Sequence, residues 1–192
     1  MGRVSQAQAE ENRRRVVDTA SRLFREQGTQ VSVADLMKAA GLTHGAFYKQ
    51  FASKEALVDE ATAHAFAELA QRYGAGLERY DGRRASAQQA LIDSYLSVEH
   101  RDDPADGCPV AGLAADIARE GGGREARRVY TEGVADFADF LAGDDQDGIV
   151  RLCTLFGALV LSRATKGSPL SGEILAAAHA ALAEAPDQAP QA

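Results

Sequence analysis

Residues 32–54 read SVADLMKAAGLTHGAFYKQFASK, and this pattern predicts two short helices joined by a tight turn. Ser32 is placed to cap the first helix, with Asp35 three residues later as its capping-box partner. Gly41 stands where a left-handed stop residue belongs, and Thr43 is placed to cap the second helix. Apolar side chains recur between these caps at i, i+3, i+4 and i+7: Val33, Leu36, Met37 and Ala40. This spacing is typical of a helix-turn-helix.

The second helix of the pair, predicted over residues 44–51, has two unlike faces. Phe47 and Phe51 lie one turn apart and are predicted to point inward. The opposite side carries small, polar and basic residues: His44 at the flank, Gly45, Tyr48 and Lys49. A glycine there costs about 1 kcal/mol of helix propensity and lets another backbone approach closely. Such a face indicates a helix that lies in a DNA groove; the alternative is an ordinary helical hairpin with a scattered polar face.

Residues 40–58, AGLTHGAFYKQFASKEALV, resemble the helix-turn-helix signature of the TetR (tetracycline-repressor) family of bacterial regulators. The rest of the chain is similar to that family only in length and helical pattern. The resemblance implies an all-α fold of about nine helices. It implies a three-helix, helix-turn-helix DNA-binding domain at residues 1–54. Residues 55–192 are then a helical bundle for ligand binding and dimerisation. The matching positions are Ala40, Gly41, Thr43, Gly45, Phe47, Tyr48, Phe51, Ser53, Lys54 and Glu55.

The resemblance also implies that the partner is double-stranded operator DNA and that repression is the usual mode of action. Three residues at the start of the second helix are predicted to approach base edges: Thr43, His44 and Gly45. Four residues are predicted to approach phosphates: Ser32, Tyr48, Lys49 and Lys54. Lys54 follows the capping Ser53, where a cation is unfavourable for the helix dipole unless a phosphate binds at the same N-terminus.

The charge of the chain is divided unevenly, although its net value is −7. Residues 1–54 hold nine Lys/Arg and five Asp/Glu, a net charge of +4. Residues 55–192 hold twelve Lys/Arg and twenty-three Asp/Glu, a net charge of −11. The positive charge therefore coincides with the helix-turn-helix, where phosphate contacts are needed. Arg13, Arg14 and Arg15 near the start of the first helix are either a solvated face or further phosphate contacts.

Composition places the chain among globular proteins, with 45% apolar and 26% charged residues. No apolar run approaches the roughly 20 residues of a membrane span. The N-terminal residues lack the apolar region of a secretory signal. Two cysteines are too few for a disulfide framework. We therefore expect a cytoplasmic protein with no membrane partner.

Aromatic residues of the predicted second domain are either ordinary core or the lining of a pocket for a small, largely apolar molecule. The family resemblance favours the pocket, since members usually hold an inducer among these helices. We predict that the effector pocket is lined by Phe66, Tyr95, Cys108, Tyr130 and Phe137. The sequence gives no indication of the inducer's identity.

Cys108 precedes Pro109, which suits the first position of a helix, so the thiol is placed at the N-cap. The positive end of a helix favours the thiolate, which suits a redox sensor of oxidants or electrophiles. The alternative is a small buried thiol that only packs. A thiol enzyme using Cys108 is poorly supported, because no metal-ligand spacing, phosphate loop or GxSxG pattern occurs. We predict no enzymatic activity, no cofactor and no metal site.

Two C-terminal helices are predicted over residues 149–166 and 171–183, the eighth and ninth of the chain. The first is apolar nearly all round and must be buried on more than one face. Because the second is too short to cover it, a two-fold copy of the same pair is expected, giving a homodimer. Cys153 lies in this apolar helix and is predicted to serve packing only. Turns or tails are predicted at residues 81–85, 121–123, 144–148 and 185–192. A helical protein-interaction module is a further alternative, but it leaves the basic motif unexplained.

Overall fold

The computed structural model describes residues 6–119, 123–143 and 147–183. These residues form ten helices and no strand, which confirms the all-α prediction. No described helix combines the length and the apolar character that crossing a bilayer requires. The predictions at 121–123, 144–148 and 185–192 lie partly or wholly outside the described residues. The helices are α1 (Gln6–Gln27), α2 (Val33–Ala39), α3 (His44–Phe47), α4 (Lys54–Arg79), α5 (Arg84–Tyr95), α6 (Val98–Asp102), α7 (Pro109–Ala118), α8 (Arg124–Leu141), α9 (Gly148–Ala164) and α10 (Pro169–Ala183).

The chain divides into two compact units that alternate along the sequence. The first unit comprises Met1–Ala70 and Pro104–Val134. The second comprises Gln71–Asp103 and Ala135–Ala192. The grouping therefore differs from a single division at residue 54, because the first part of α4 and all of α7 join the helix-turn-helix in one unit.

The core of the first unit is built from α1 to α4 together with α7 and α8. Phe24 of α1 and Phe47 of α3 are each 1% exposed. Leu113 and Ile117 of α7 complete the same apolar cluster. The helix-turn-helix thus shares its core with a helix that lies far along the chain. The other buried members are Val16, Ala20, Leu36, Met37, Ala40, Phe51, Leu57, Val58, Ala61 and Ala126.

In the second unit, side chains of α5 and α9 cap the C-terminal end of α8. Gln88 donates hydrogen bonds to the carbonyl oxygens of Phe140 (2.6 Å) and Ala142 (3.0 Å). Arg151 donates to the carbonyl oxygen of Leu141 at 3.1 Å. The last carbonyls of a helix lack partners within it, so these contacts satisfy groups that would otherwise be buried without one.

The α9 helix leaves an apolar strip uncovered in the single chain. Five large apolar side chains on α9 and α10 are between 39% and 64% exposed. Cys153 is also exposed in the single chain, so a packing role for it requires a partner chain and stays a prediction. The strip, called the α9 face below, consists of Ile149, Val150, Cys153, Val160 and Leu161, and Leu170 is the exposed residue of α10.

Two predicted helix bounds differ by several residues from the structure. The second helix of the motif ends at Phe47 instead of residue 51, and Tyr48 is its C-cap. The α4 helix continues through Gly74 and Gly76 to Arg79, where the sequence predicts a weakened or ended helix. Each glycine costs about 1 kcal/mol of helix propensity, and the neighbouring Tyr73, whose ring stacks on Phe140, offsets this cost by packing.

The sequence pattern predicts one helix over residues 86–99, whereas the structure has two. The α5 helix ends at Tyr95, and Ser97 caps the short helix α6 by accepting a hydrogen bond from the backbone N–H of His100 (3.1 Å). This extra helix raises the number in the described residues from about nine to ten.

Candidate DNA-binding surface

The turn between α2 and α3 has the local geometry that its sequence predicts. Ser32 Oγ accepts a hydrogen bond from the Asp35 N–H at 3.1 Å and so caps α2. Gly41 adopts φ +69°, a left-handed conformation that favours glycine. The Leu42 N–H then donates to the Met37 carbonyl at 2.8 Å and closes the end of the helix. Thr43 holds the N-cap position of α3, although its side chain makes no capping hydrogen bond.

Two stacked phenylalanines fix the inner side of α3. The rings of Phe47 and Phe51 lie 5.4 Å apart at 26°, and both are buried. Tyr48 meets Phe47 edge-on at 5.2 Å and remains 66% exposed. His44 contacts the Tyr48 ring at 5.7 Å. The inward direction of the two phenylalanines is therefore confirmed.

The outer side of α3 and its flanking residues form the candidate DNA-binding surface. A Cβ placed on Gly45 would meet nothing within 4 Å, so the backbone is open on that side. The surface carries no acidic side chain between residues 36 and 54. The residues predicted for DNA contact that are exposed are Ser32, Thr43, His44, Gly45, Tyr48 and Lys49.

Arg13 supports this surface from inside the unit. Its guanidinium donates to the Gln50 carbonyl, pairs with Glu60 and lies 4.3 Å above the centroid of the Phe51 ring. Arg13 therefore ties α1 to the end of the motif and to α4 and does not form an open basic tip. Arg14 pairs with Glu11 on the exposed side of α1.

Lys54 begins α4 and is only partly exposed. Ser53 Oγ accepts from the Ala56 N–H at 3.1 Å, which confirms the predicted cap. Burial lowers the pKa of Lys54, and the nearby carboxylate of Asp116 raises it. Asp116 is a residue that sequence reasoning missed, because nothing local connects α7 with the start of α4.

The α7 helix is joined to the helix-turn-helix by polar contacts as well as by the shared core. Asp116 Oδ2 accepts a hydrogen bond from the Thr29 N–H at 2.7 Å. A Cβ on Gly112 would lie 2.9 Å from the Arg25 Cα, so only glycine permits this approach. Arg25 is 4% exposed and donates to the Gly107 carbonyl at 3.2 Å. These contacts therefore join α7 to the end of α1 and to the start of the α1–α2 connection.

The five residues predicted for the effector pocket fall into two groups, one in each unit. In the first unit, Phe66 and Tyr130 meet edge-on at 5.6 Å, and Tyr130 Oη donates to the Val110 carbonyl at 2.9 Å. Burial and the neighbouring Cys108 raise the pKa of Tyr130 to about 12. In the second unit, the Tyr95 and Phe137 rings lie 6.5 Å apart. A common pocket for all five stays a prediction.

Cys108 occupies the N-cap of α7, with Pro109 at the first turn, as the sequence predicts. Its side chain is 3% exposed and makes no capping hydrogen bond. Burial restricts the access of oxidants or electrophiles to the sulfur, while the helix N-terminus favours its thiolate. These two features oppose each other, and the sensor role stays a prediction.

A capped helix, a glycine turn and a short helix with an exposed outer face define the helix-turn-helix class of DNA-binding proteins. Residues 16–61 match the sequence model of the family described as "Bacterial regulatory proteins, tetR family". This match confirms the TetR-family resemblance of the helix-turn-helix segment, which includes residues 40–58.

Curated relatives match over part of the chain. The chain is 41% identical over 61 residues to the HTH-type transcriptional regulator AcrR of Shigella flexneri. It is 31% identical over 88 residues to the HTH-type transcriptional repressor KstR2 of Rhodococcus jostii (strain RHA1). The matches cover 31% and 45% of this chain, and only 28% and 43% of those relatives.

Solved structures share the fold over nearly the whole chain. The reduced form of NemR from E. coli superposes with a TM-score of 0.74 at 21% identity, covering 90% of this chain and 95% of NemR. A TetR-family regulator from Agrobacterium tumefaciens gives a TM-score of 0.75 at 18% identity, covering 91% and 97%. At these identities the likeness establishes the fold alone.

Proposed function

We propose that this chain is a ligand-responsive transcriptional repressor that acts in the cytoplasm as a homodimer on a palindromic operator. The observation that carries the proposal is the outer surface of α3. The polar and basic side chains of this surface are exposed, while Phe47 and Phe51 on the opposite side are buried. Gly45 has no side chain, so the backbone there is accessible. A rigid element with an exposed, chemically mixed face suits entry into a major groove.

We assign the contacts within residues 1–54 by chemistry. Thr43, His44 and Gly45 begin α3 and are proposed to approach base edges, because the N-terminal residues of a recognition helix reach deepest into the groove. The hydroxyl, ammonium and capping groups around them are proposed to bind phosphates, which sets the register of the protein on DNA. These phosphate contacts are Ser32, Tyr48, Lys49 and Lys54.

A second copy of the chain is the proposed cover for the α9 face. Val150 and Leu161 are 61% and 56% exposed, and an exposed apolar strip of this kind is costly in water. Pairing α9 and α10 with their two-fold copies gives a four-helix interface. The dimer would present two α3 helices to half-sites roughly 34–36 Å apart.

The signal is proposed to be a small molecule bound in residues 55–192, among Phe66, Tyr95, Cys108, Tyr130 and Phe137. Aromatic side chains with polar tips suit a largely apolar ligand with a few hydrogen-bonding groups. The direction of regulation is supported by the relative KstR2, which is described as a repressor.

Selection of DNA fragments from a random pool by the purified full-length chain tests the proposal. We expect enrichment of one palindrome, which then serves as the probe in binding titrations. A triple variant, Thr43→Ala, Tyr48→Ala and Lys49→Ala, changes only exposed side chains and should fold normally without enriching that sequence. Failure of the folded wild-type chain to enrich any sequence would contradict the DNA-binding function.

A thiol signal is the second candidate, favoured by the N-cap position of Cys108. Its test is release of the selected DNA after treatment with an oxidant or an electrophile. Release that is lost in Cys108→Ser but retained in Cys153→Ser would establish Cys108 as the sensor. Release that persists in Cys108→Ser would exclude it and leave the small-molecule signal. We infer no catalytic role for this thiol.

A further inference from the structure

Three potential metal ligands from α1 and α4 converge within the first unit. They are Asp18 of α1 and His64 and Glu68 of α4. The three ligand atoms, one from each side chain, lie within 4.8 Å of one another. None of these residues belongs to the surface assigned to DNA or to the residues assigned to the effector.

The imidazole of His64 points its Nε2 between the two carboxylates. Nε2 lies 3.7 Å from Asp18 Oδ1 and 3.6 Å from Glu68 Oε1. Both distances exceed that of a hydrogen bond, and this nitrogen is buried with no hydrogen-bond partner among the described residues. A buried polar atom without a partner is costly, so its placement needs an explanation.

Glu68 is held in position by a second, independent contact. Its Oε2 accepts a hydrogen bond from Arg25 Nη2 at 3.0 Å, which leaves Oε1 directed to His64. Arg25 is itself fixed, because it is 4% exposed and donates to the carbonyls of Ser21 and Gly107. A partner that orients a ligating carboxylate from behind is typical of protein metal sites.

We propose that Asp18, His64 and Glu68 bind a divalent transition-metal ion, with Zn²⁺ as the representative. One imidazole nitrogen and two carboxylate oxygens are ligands that such ions accept. In a tetrahedral site with bonds of about 2.0 Å, neighbouring ligand atoms are about 3.3 Å apart. The two separations from Nε2 exceed this value by a few tenths of an ångström, and the two carboxylate oxygens lie within 4.8 Å of each other.

The cluster borders on solvent on the Asp18 side. Asp18 has 55% of its side chain exposed, and the side chain of His64 is 37% exposed. His64 and Glu68 stand at i and i+4 on α4, so one helix presents two ligands on the same side. An ion bound here joins α1 to α4 and is expected to stabilise the unit that contains the helix-turn-helix.

The test is titration of Zn²⁺ alone into the full-length chain, freed of any affinity tag and treated with a chelator. Calorimetry at neutral pH should give one ion per chain. His64→Gln and, separately, Asp18→Asn should weaken binding at least about tenfold. Asp18 is exposed, so its substitution tests the site even if the His64 variant folds poorly.

His179→Gln is the matched control, since His179 Nε2 also faces a carboxylate, Asp93 Oδ1 at 2.8 Å, but no third ligand joins them among the described residues. Its Zn²⁺ affinity should equal that of the wild type. Zn²⁺ should also raise the Tm of the wild type and of His179→Gln, but not that of His64→Gln.

Two results would overturn the site. One is no Zn²⁺ binding by the wild type at millimolar concentration. The other is equal affinity in the wild type, His64→Gln and Asp18→Asn. In either case a purely structural contact between α1 and α4 becomes the explanation of the cluster. Neither result bears on DNA binding, so the proposed function is tested separately.

Discussion

Lys49 provides the sharpest test of a single phosphate contact. It is exposed next to α3, so Lys49→Ala should leave the fold unchanged. We expect weaker operator binding and a slope of log K against log[salt] that is smaller by about 1.8, because each chain of the proposed dimer loses one phosphate contact and each contact contributes about 0.9. The measurement is fluorescence anisotropy at several salt concentrations.

Lys38→Ala is the control for Lys49→Ala, because Lys38 is exposed in the last turn of α2 and is assigned no DNA contact. Its salt slope should match that of the wild type. An unchanged slope in Lys49→Ala, or an equal change in both variants, would rule out a specific phosphate contact at Lys49.

Residues whose role depends on near neighbours in sequence were predictable. Ser32, Gly41 and the Phe47–Phe51 pair act through caps, turns and helical spacing, which a few adjacent residues determine. Residues whose partners lie far along the chain could not be predicted from the sequence. Arg13 looks like an exposed cation in sequence, yet it reaches Gln50 and Glu60.

The short helix α3 gives a prediction that separates folding from DNA binding. Gly45 is helical, and an added Cβ would meet nothing within 4 Å. Gly45→Ala should therefore raise the free energy of unfolding by up to about 1 kcal/mol through helix propensity. The same methyl group would keep a DNA backbone or base edge at a distance, so we expect operator affinity to fall.

Thermal unfolding and operator titration of the same sample measure both effects of Gly45→Ala. Gly41→Ala is the opposite control, because its φ of +69° makes any side chain strained and should lower stability instead. Operator affinity that is unchanged in Gly45→Ala would show that no DNA atom approaches this position.

The length of α4 shows why some element bounds could not be predicted. Gly74 and Gly76 are local signals for a weak or ended helix. Tyr73 directly precedes Gly74, and its ring stacks on that of Phe140 in α8, with the ring centroids 4.8 Å apart. Packing against a distant helix thus overrides local propensity, and no window of sequence contains both partners.

The α9 face predicts the assembly state. Val150→Glu would place a carboxylate in the middle of the proposed interface, and leaving a charge buried without a partner costs roughly 3–5 kcal/mol. We expect a dimer in the wild type and a monomer in Val150→Glu at micromolar concentration. Sedimentation velocity distinguishes the two states.

Ala135→Glu is the control for Val150→Glu, since Ala135 is an exposed position of α8 in the same unit. It should remain dimeric. A wild type that sediments as a monomer would contradict the role of this face, as would a Val150→Glu variant that stays dimeric.

The two units of the whole chain should differ in their response to core substitutions. Leu113 of α7 is 2% exposed and belongs to the core that also holds α1 to α3. Leu113→Ala should cost about 2–5 kcal/mol and increase hydrogen exchange in those helices. The effect would arise in the helix-turn-helix although the substitution lies outside residues 1–54.

Leu155→Ala is the counterpart in the second unit, where Leu155 of α9 is fully buried. Hydrogen exchange measured by mass spectrometry should increase there in α9 and α10. If Leu113→Ala left hydrogen exchange in α1 to α3 unchanged, α7 and the helix-turn-helix would not unfold as one cooperative unit.

At this level the sequence predicted the fold class but not the grouping of helices. Hydrophobic periodicity identifies helices one at a time. Periodicity does not show that Leu113 and Ile117 share a core with Phe24, because residues so far apart in sequence meet only in the folded chain. The alternation of the two units along the chain was therefore beyond sequence reasoning.

The outer surface of α3 has a consequence for how such a protein diversifies. Folding depends on the inward Phe47 and Phe51, whereas Thr43, His44 and Lys49 are exposed to solvent. Substitutions at the exposed positions cost little stability, since surface changes usually stay within about 0.5 kcal/mol. Gene duplicates can then exchange these side chains and acquire new operators in a few mutational steps, while the scaffold that presents them is inherited unchanged.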